Sequence, residues 1–355
     1  MIKLISFYLP QFHEIEENNE AWGKGFTEWT NVRKSKPFFP GHDQPRIPYN
    51  NNYYDLLDGE TMKWQAKLAG KAGLYGFCFY HYWFKGRMVL EKPVKNLLDT
   101  KDIIINFCFS WANESWTKTW HGAGGEREIL LAQKYGGMDE WKAHYDYFKD
   151  FFGDTRYIKQ GGKPILLIYK IRNIPEFNQM FQYWDSLARK DGFPGICILS
   201  MNGGRDFVDK SIWVNGTVDF EPNRTKTEMH RLQRGGFPSE RKCLRNIWEL
   251  NSIDYDSINM AMLKKEHGNN EYRTVFVDYD DTPRRGYRGI YTRGASPKKF
   301  SQYLKKTMEL AEKEGNEFLF INAWNEWGES NYLEPDTRHG YAYLNEIRKI
   351  TREKQ

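Results

Sequence analysis

A chain of 355 residues, 40% of them hydrophobic, is long enough to bury the core of one large α/β domain. Its net charge of 52 − 47 = +5 is only mildly basic and comes with no recognisable nucleic-acid module, so no nucleic-acid partner is expected. Cys78, Cys108, Cys197 and Cys243 form no C-x-x-C pair, which argues against a disulfide framework or a zinc site.

Eight short apolar runs, rich in branched and aromatic residues, follow one another at 4–9, 74–80, 103–109, 165–169, 196–200, 218–221, 274–278 and 318–321. Near-continuous runs of this length read as strands buried on both faces, as in an all-parallel sheet. Helical patterns precede several of them, at 61–72, 140–152, 177–190 and 297–314, the last with Ser296 placed to cap it and Pro297 at its first position. Strands alternating with helices predict an α/β fold, a (β/α)8 TIM barrel formed as a single domain over 1–355. The surplus length goes into long βα loops, the first spanning 10–60. A doubly wound sheet is the alternative. No repeat, linker or low-complexity tract marks a boundary. The opening "MIKLISFYLP" runs directly into polar "QFHE" without an export signal, and no apolar run is long enough to span a bilayer, so a cytoplasmic protein is expected.

In such a barrel the chemistry collects at the C-terminal ends of the strands. In chain order those ends offer Tyr8, Gln11 and His13; then Tyr80, His81, Tyr82 and Trp83; then Trp111, Asn113, Glu114 and Trp116; then Glu221; then Asp278; and last Trp324, Asn325, Glu326, Trp327 and Glu329. Trp29 comes from the long first loop. Aromatics make up 16% of the chain, and Tyr and Trp combine a flat apolar face, suited to a sugar ring, with a polar handle. Two carboxylates among aromatics and amides are what glycosidic-bond chemistry requires, one to protonate the leaving oxygen and one to act as nucleophile or base. Glu326 and Glu329 stand three apart just after an apolar strand, and a helical turn there would put both on one side. Glu114 is the competing carboxylate. Asp278 could bind a sugar hydroxyl or cap a loop, and Glu221, before Pro222, could be catalytic or turn-forming. His13 and His81 read as hydrogen-bonded site or core residues. No cofactor or metal is expected.

Several segments, "FYLPQFH", "WGKGFTEWTNV", "PGHDQPRIP", "YGFCFYHYWF", "WANESWT", "GKPILLIY", "DYDDTPRR" and "WNEWGES…LEPD", together resemble the glycoside hydrolase family 99-like domain, in the subgroup found in O-antigen and exopolysaccharide gene clusters. The resemblance runs from Leu4 to about Tyr343. It implies a metal-independent, retaining, endo-acting glycosidase on a (β/α)8 barrel, related to endo-α-1,2-mannosidases. Glu326 would be the base that activates the substrate's own 2-hydroxyl to form a 1,2-anhydro sugar. Glu329 would be the general acid, then the base for water. The partner implied is an oligo- or polysaccharide of a bacterial surface or a lipid-linked glycan, reached in the cytoplasm or at a membrane surface during glycan assembly. Oligomeric state, sugar and linkage stay open. One departure is Gly328, where the mannosidases commonly have His.

Two other functions stand beside this reading. A glycosyltransferase would use a D-x-D motif to hold a metal and a nucleoside diphosphate, and "DYD" occurs at 254–256 and 278–280. A non-catalytic glycan-binding module would use the same aromatics without needing the two glutamates.

Overall fold

The computed structural model describes residues 2–118, 128–203, 211–234 and 250–353, with side chains of 230–234 left aside. Cys243 falls outside the described residues; Cys78, Cys108 and Cys197 are buried free thiols.

Each of the eight apolar runs forms a strand. They are β1 (Lys3–Tyr8), β2 (Gly76–Phe84), β3 (Asn106–Trp111), β4 (Lys163–Ile168), β5 (Cys197–Asn202), β6 (Gly216–Asp219), β7 and β8 (Phe318–Asn322), where β7 comprises Glu271–Tyr272 and Thr274–Phe276. Every neighbouring pair is parallel. The interruption of β7 at Arg273 is where the sheet closes. Its first half pairs with β6, matching Thr217 to Glu271, and its second half pairs with β8, matching Thr274 to Phe320. One strand thus bridges the two edges of a sheet ordered β6-β5-β4-β3-β2-β1-β8, and the result is the expected TIM barrel.

Helices Gly59–Ala72, Lys92–Asp99, Met138–Phe152, Phe177–Lys190, Asn223–Arg234, Pro297–Lys313 and Ala342–Glu353 flank it. Ser296 caps the sixth of these by accepting from the Lys299 N–H, as its position predicts. Gly76, at the start of β2, lies so close to β3 that a Cβ there would come 2.5 Å from the Asn106 carbonyl. No described helix is long and apolar enough to cross a membrane.

Strand alternation sorts the aromatic side chains. In β2, Tyr80 and Tyr82 turn to the barrel mouth, whereas His81 and Trp83 turn outward onto the helix Met138–Phe152. There His81 Nε2 lies 2.9 Å from His144 Nε2 and Trp83 donates to Glu140 at 2.6 Å. Trp111 joins that outer layer, its ring 4.7 Å from His144 and 6.2 Å from Trp184.

Candidate active site

The segment after β8 makes a 3-10 turn at Trp327–Glu329. Residues three apart eclipse in such a turn, so Glu326 and Glu329 come to the same side. A single guanidinium spans them. Arg284, in the short helix Thr282–Arg285 after β7, donates through Nη2 to Glu326 Oε2 at 3.0 Å and through Nη1 to Glu329 Oε1 at 2.7 Å. Its Nε donates to Glu28 Oε1 at 2.8 Å, so three carboxylates share one arginine. The loops carrying them are tied together, since the Asp280 N–H donates to the Glu329 carbonyl at 2.7 Å.

Three acids converge on one guanidinium, with the amine of Lys226 a further basic group near Glu329. Glu326 is 7% exposed, and burial pushes its carboxyl up to about 8 against the pull of Arg284, with the charges of Glu329 and Glu28 adding to the rise. Tyr80 and Tyr82 face the same charge. Burial and then Glu326 raise both phenols, which therefore stay protonated as hydrogen-bond donors. Glu329 is the more open of the pair, its side chain 21% exposed. Arg284 is held charged by its three partners despite burial. The site therefore sets a buried carboxyl that holds its proton near neutral pH beside a second, more open carboxyl on the same arginine.

A second buried acid fixes the turn from below. Glu334 accepts from Trp327 Nε1 at 2.7 Å, Tyr54 Oη at 2.9 Å and Gln65 Nε2 at 2.7 Å, and burial lifts it to about 7 against these three donors. Trp327 is also stacked on Tyr332, with centroids 3.7 Å apart, and lies 5.3 Å from Trp29. Asn325 locks the end of β8 to the end of β1, accepting from the Leu9 N–H at 2.8 Å and donating to the Leu9 carbonyl at 3.0 Å.

Of the residues expected at the site from sequence, the structure brings Tyr80, Tyr82, Glu326 and Glu329 together, with Asn325, Trp327 and Trp29 as their support. It takes others elsewhere. His81, Trp83 and Trp111 face the outer helices, as described. Tyr8 also points outward, donating to Gln65 Oε1 at 2.6 Å. Asn113 is spent on the backbone of Lys170, at 2.7 and 2.8 Å. Trp116 stays beside the site, stacked on Tyr82 with 5.4 Å between centroids, while Glu114 lies 4.0 Å from Lys170 Nζ. His13 is buried and drawn down to about 4 by desolvation. Trp324 packs on Phe77 in the core, and the Gln11 carbonyl accepts from the Glu28 N–H.

Asp278 already accepts from Arg46 Nη2 at 2.8 Å, from Thr292 and from the Tyr279 N–H. Asp280 takes Gln44 at 2.7 Å and lies 2.9 Å from His42. In the other D-x-D, Asp254 caps the helix Tyr255–Leu263 and Asp256 binds Lys299 and Tyr303. Each of these aspartates is thus engaged by protein donors. Glu221 is held by Thr225 and Lys265.

Sequence reading missed Arg284 and Glu28. Both lie in quoted segments, "DYDDTPRR" and "WGKGFTEWTNV", but nothing in either segment signals that the two side chains meet across 256 positions.

The fold is a TIM barrel with this constellation at its mouth. Over 99% of the chain and 98% of the other, the structure matches the GH99 endo-α-mannosidase from Bacteroides thetaiotaomicron with a TM-score of 0.57 at 14% identity. A solved "Glycoside hydrolase-like protein" matches over 99% and 94% with a TM-score of 0.60 at 12% identity. A family model described as "Glycosyltransferase WbsX" matches residues 4–347, and the chain belongs to that family. The "Uncharacterized protein WxcX" of Xanthomonas campestris pv. campestris, strain B100, is 35% identical over 98% of this chain and 49% of its own length, and the same holds for strain ATCC 33913. The chain thus spans about half the length of the curated relatives it matches.

Proposed function

We propose that this chain is a glycosidase acting on a bacterial oligo- or polysaccharide, with Glu326 and Glu329 as its acid–base pair. The observation that carries the reading is the Arg284 fork, which holds two carboxyls, one of them buried and raised to about 8, side by side at the barrel mouth near Tyr80 and Tyr82. The GH99 likeness in fold supports it.

In the division of labour that the GH99 resemblance implies, Glu326 takes the proton of the substrate's 2-hydroxyl, that oxygen attacks the anomeric carbon, and Glu329 protonates the departing glycosidic oxygen. Glu329 then deprotonates the water that opens the anhydro sugar, and the proton on Glu326 returns to the 2-hydroxyl. The unliganded site keeps a proton on Glu326 near neutral pH, so this base must first lose it. The expected consequence is a kcat/KM that climbs as pH rises toward about 8. A fall across the same range would give Glu326 the acid role and Glu329 the base role.

The family description favours a second reading, a glycosyltransferase. One experiment separates the two. The protein is incubated with α-mannans, rhamnans and bacterial surface polysaccharides while new reducing ends are measured, and in parallel with nucleoside-diphosphate sugars and Mn²⁺ while released nucleotide is measured. Reducing ends without nucleotide release support hydrolysis, and acceptor-dependent nucleotide release overturns it.

A further inference from the structure

Glu28 is the member of the cluster that a two-carboxylate mechanism does not require. It is also the most deeply buried of the three acids, at 0% exposure. It opens the helix Glu28–Lys34 behind a reciprocal capping box of Thr27 and Thr30. Its N–H is anchored on the Gln11 carbonyl at 3.0 Å, just beyond β1. The carboxylate then passes into the turn between Glu326 and Glu329. A Cβ built on Gly328 would fall 1.7 Å from Glu28 Oε1 and 2.7 Å from Arg284 Nε. No side chain fits at 328 while Glu28 and Arg284 keep their places.

A guanidinium is a rigid planar fork, so fixing its Nε fixes the direction of both Nη groups. We propose that Glu28 is a positioning residue for the Glu326–Glu329 pair: by gripping Arg284 Nε it aims the two Nη arms at the two carboxyls, and Gly328 is the opening that admits it. The inference rests on the proposed function only for the catalytic meaning of the pair. The relay itself is a property of the five residues Glu28, Arg284, Gly328, Glu326 and Glu329. The charged and titratable groups that face Glu326 are Arg284, Glu28, Glu329, Tyr80 and Tyr82.

The test needs no glycan. Wild type, Glu28→Gln and Gly328→Ala are labelled with ¹³C at the glutamate side-chain carboxyls and titrated by NMR, with Glu326→Gln to assign the Glu326 signal. Glu28→Gln removes a neighbouring negative charge and leaves Arg284 to the pair alone, so Glu326 should titrate at lower pH. Gly328→Ala displaces Glu28 without removing its charge, and should also move the Glu326 midpoint. A midpoint unchanged in both folded variants overturns the proposal. Thermal unfolding supplies the second arm. Gly328→Ala should lower Tm by about 5 °C, and most of that loss should vanish in a Glu28→Ala background. An equal loss in both backgrounds overturns it. Since neither arm measures hydrolysis, the relay and the glycosidase reading can fail independently. With a hydrolysed glycan in hand, Glu28→Gln should shift the pH profile of kcat/KM in the direction of the titration.

Discussion

Two buried charge clusters sit at the ends of β6 and β8, the strands on either side of β7, and they are built on opposite plans. After β6, Asp219, Glu221 and Glu228 meet Arg224, Lys265 and His267, an acid for every cationic or ionisable basic group. There, against the push of burial, the His267 hydrogen bond and the Arg224 charge hold Asp219 below its ordinary range. After β8, three acids share Arg284, and the buried carboxyl of Glu326 keeps a proton near neutral pH. A balanced cluster joins elements. An unbalanced one stores a proton whose departure is sensitive to what binds nearby, which is the property a catalytic site needs.

Four changes would break or sharpen that contrast. The largest effect should come from Glu329→Gln, which is expected to cut kcat by roughly 10³-fold with substrate binding largely kept, measured as turnover against affinity. In the balanced cluster, Lys265→Met strands Glu221 without its buried cation and should cost about 3 kcal/mol of unfolding free energy by denaturant titration, with kcat of the folded enzyme unchanged. A change in kcat without loss of stability would erase the distinction between the clusters.

The third effect concerns pH. Glu326 titrates higher in the folded chain, at about 8, than the ordinary 4.5, so the folded state binds the extra proton between those values. The stability it contributes is full below about 4.5 and is lost as pH rises toward 8. Glu326→Gln should therefore gain about 4 kcal/mol relative to wild type between pH 5 and pH 8.5, read from denaturation at the two pH values. The smallest effect is expected for Glu334→Gln. Its amide would set a donor against those of Trp327, Tyr54 and Gln65, loosening the turn and lowering kcat about tenfold, for a cost of about 1 kcal/mol.

The barrel was readable because its strands are local events. The run 318–321 is apolar throughout and 103–109 is apolar but for Asn106, as a strand buried on both faces requires, and Ser296–Pro297 announces its own helix. The closing device at Arg273 was not readable, since it depends on which edges meet. At the site, the Glu326–Glu329 spacing carried its message because a three-residue turn is also local. Reading "FYHYWF" as one mouth-facing patch overlooked the period-2 alternation that sends His81 and Trp83 outward, and that alternation was available in the sequence. Glu28 and Arg284 were hidden for a different reason. Each looks like an ordinary charged residue of a polar loop, and only the closure of the barrel brings the two to 2.8 Å. Gly328 likewise stands as a small residue in a turn until the carboxylate pressed against it is seen.

The most direct test of the central claim is to expose wild type and Glu329→Gln, side by side and checked for folding, to the same panel of bacterial polysaccharides while counting new reducing ends. The account predicts cleavage of at least one glycan by wild type and near-complete loss of it in the variant. Cleavage by the variant at the wild-type rate would contradict it.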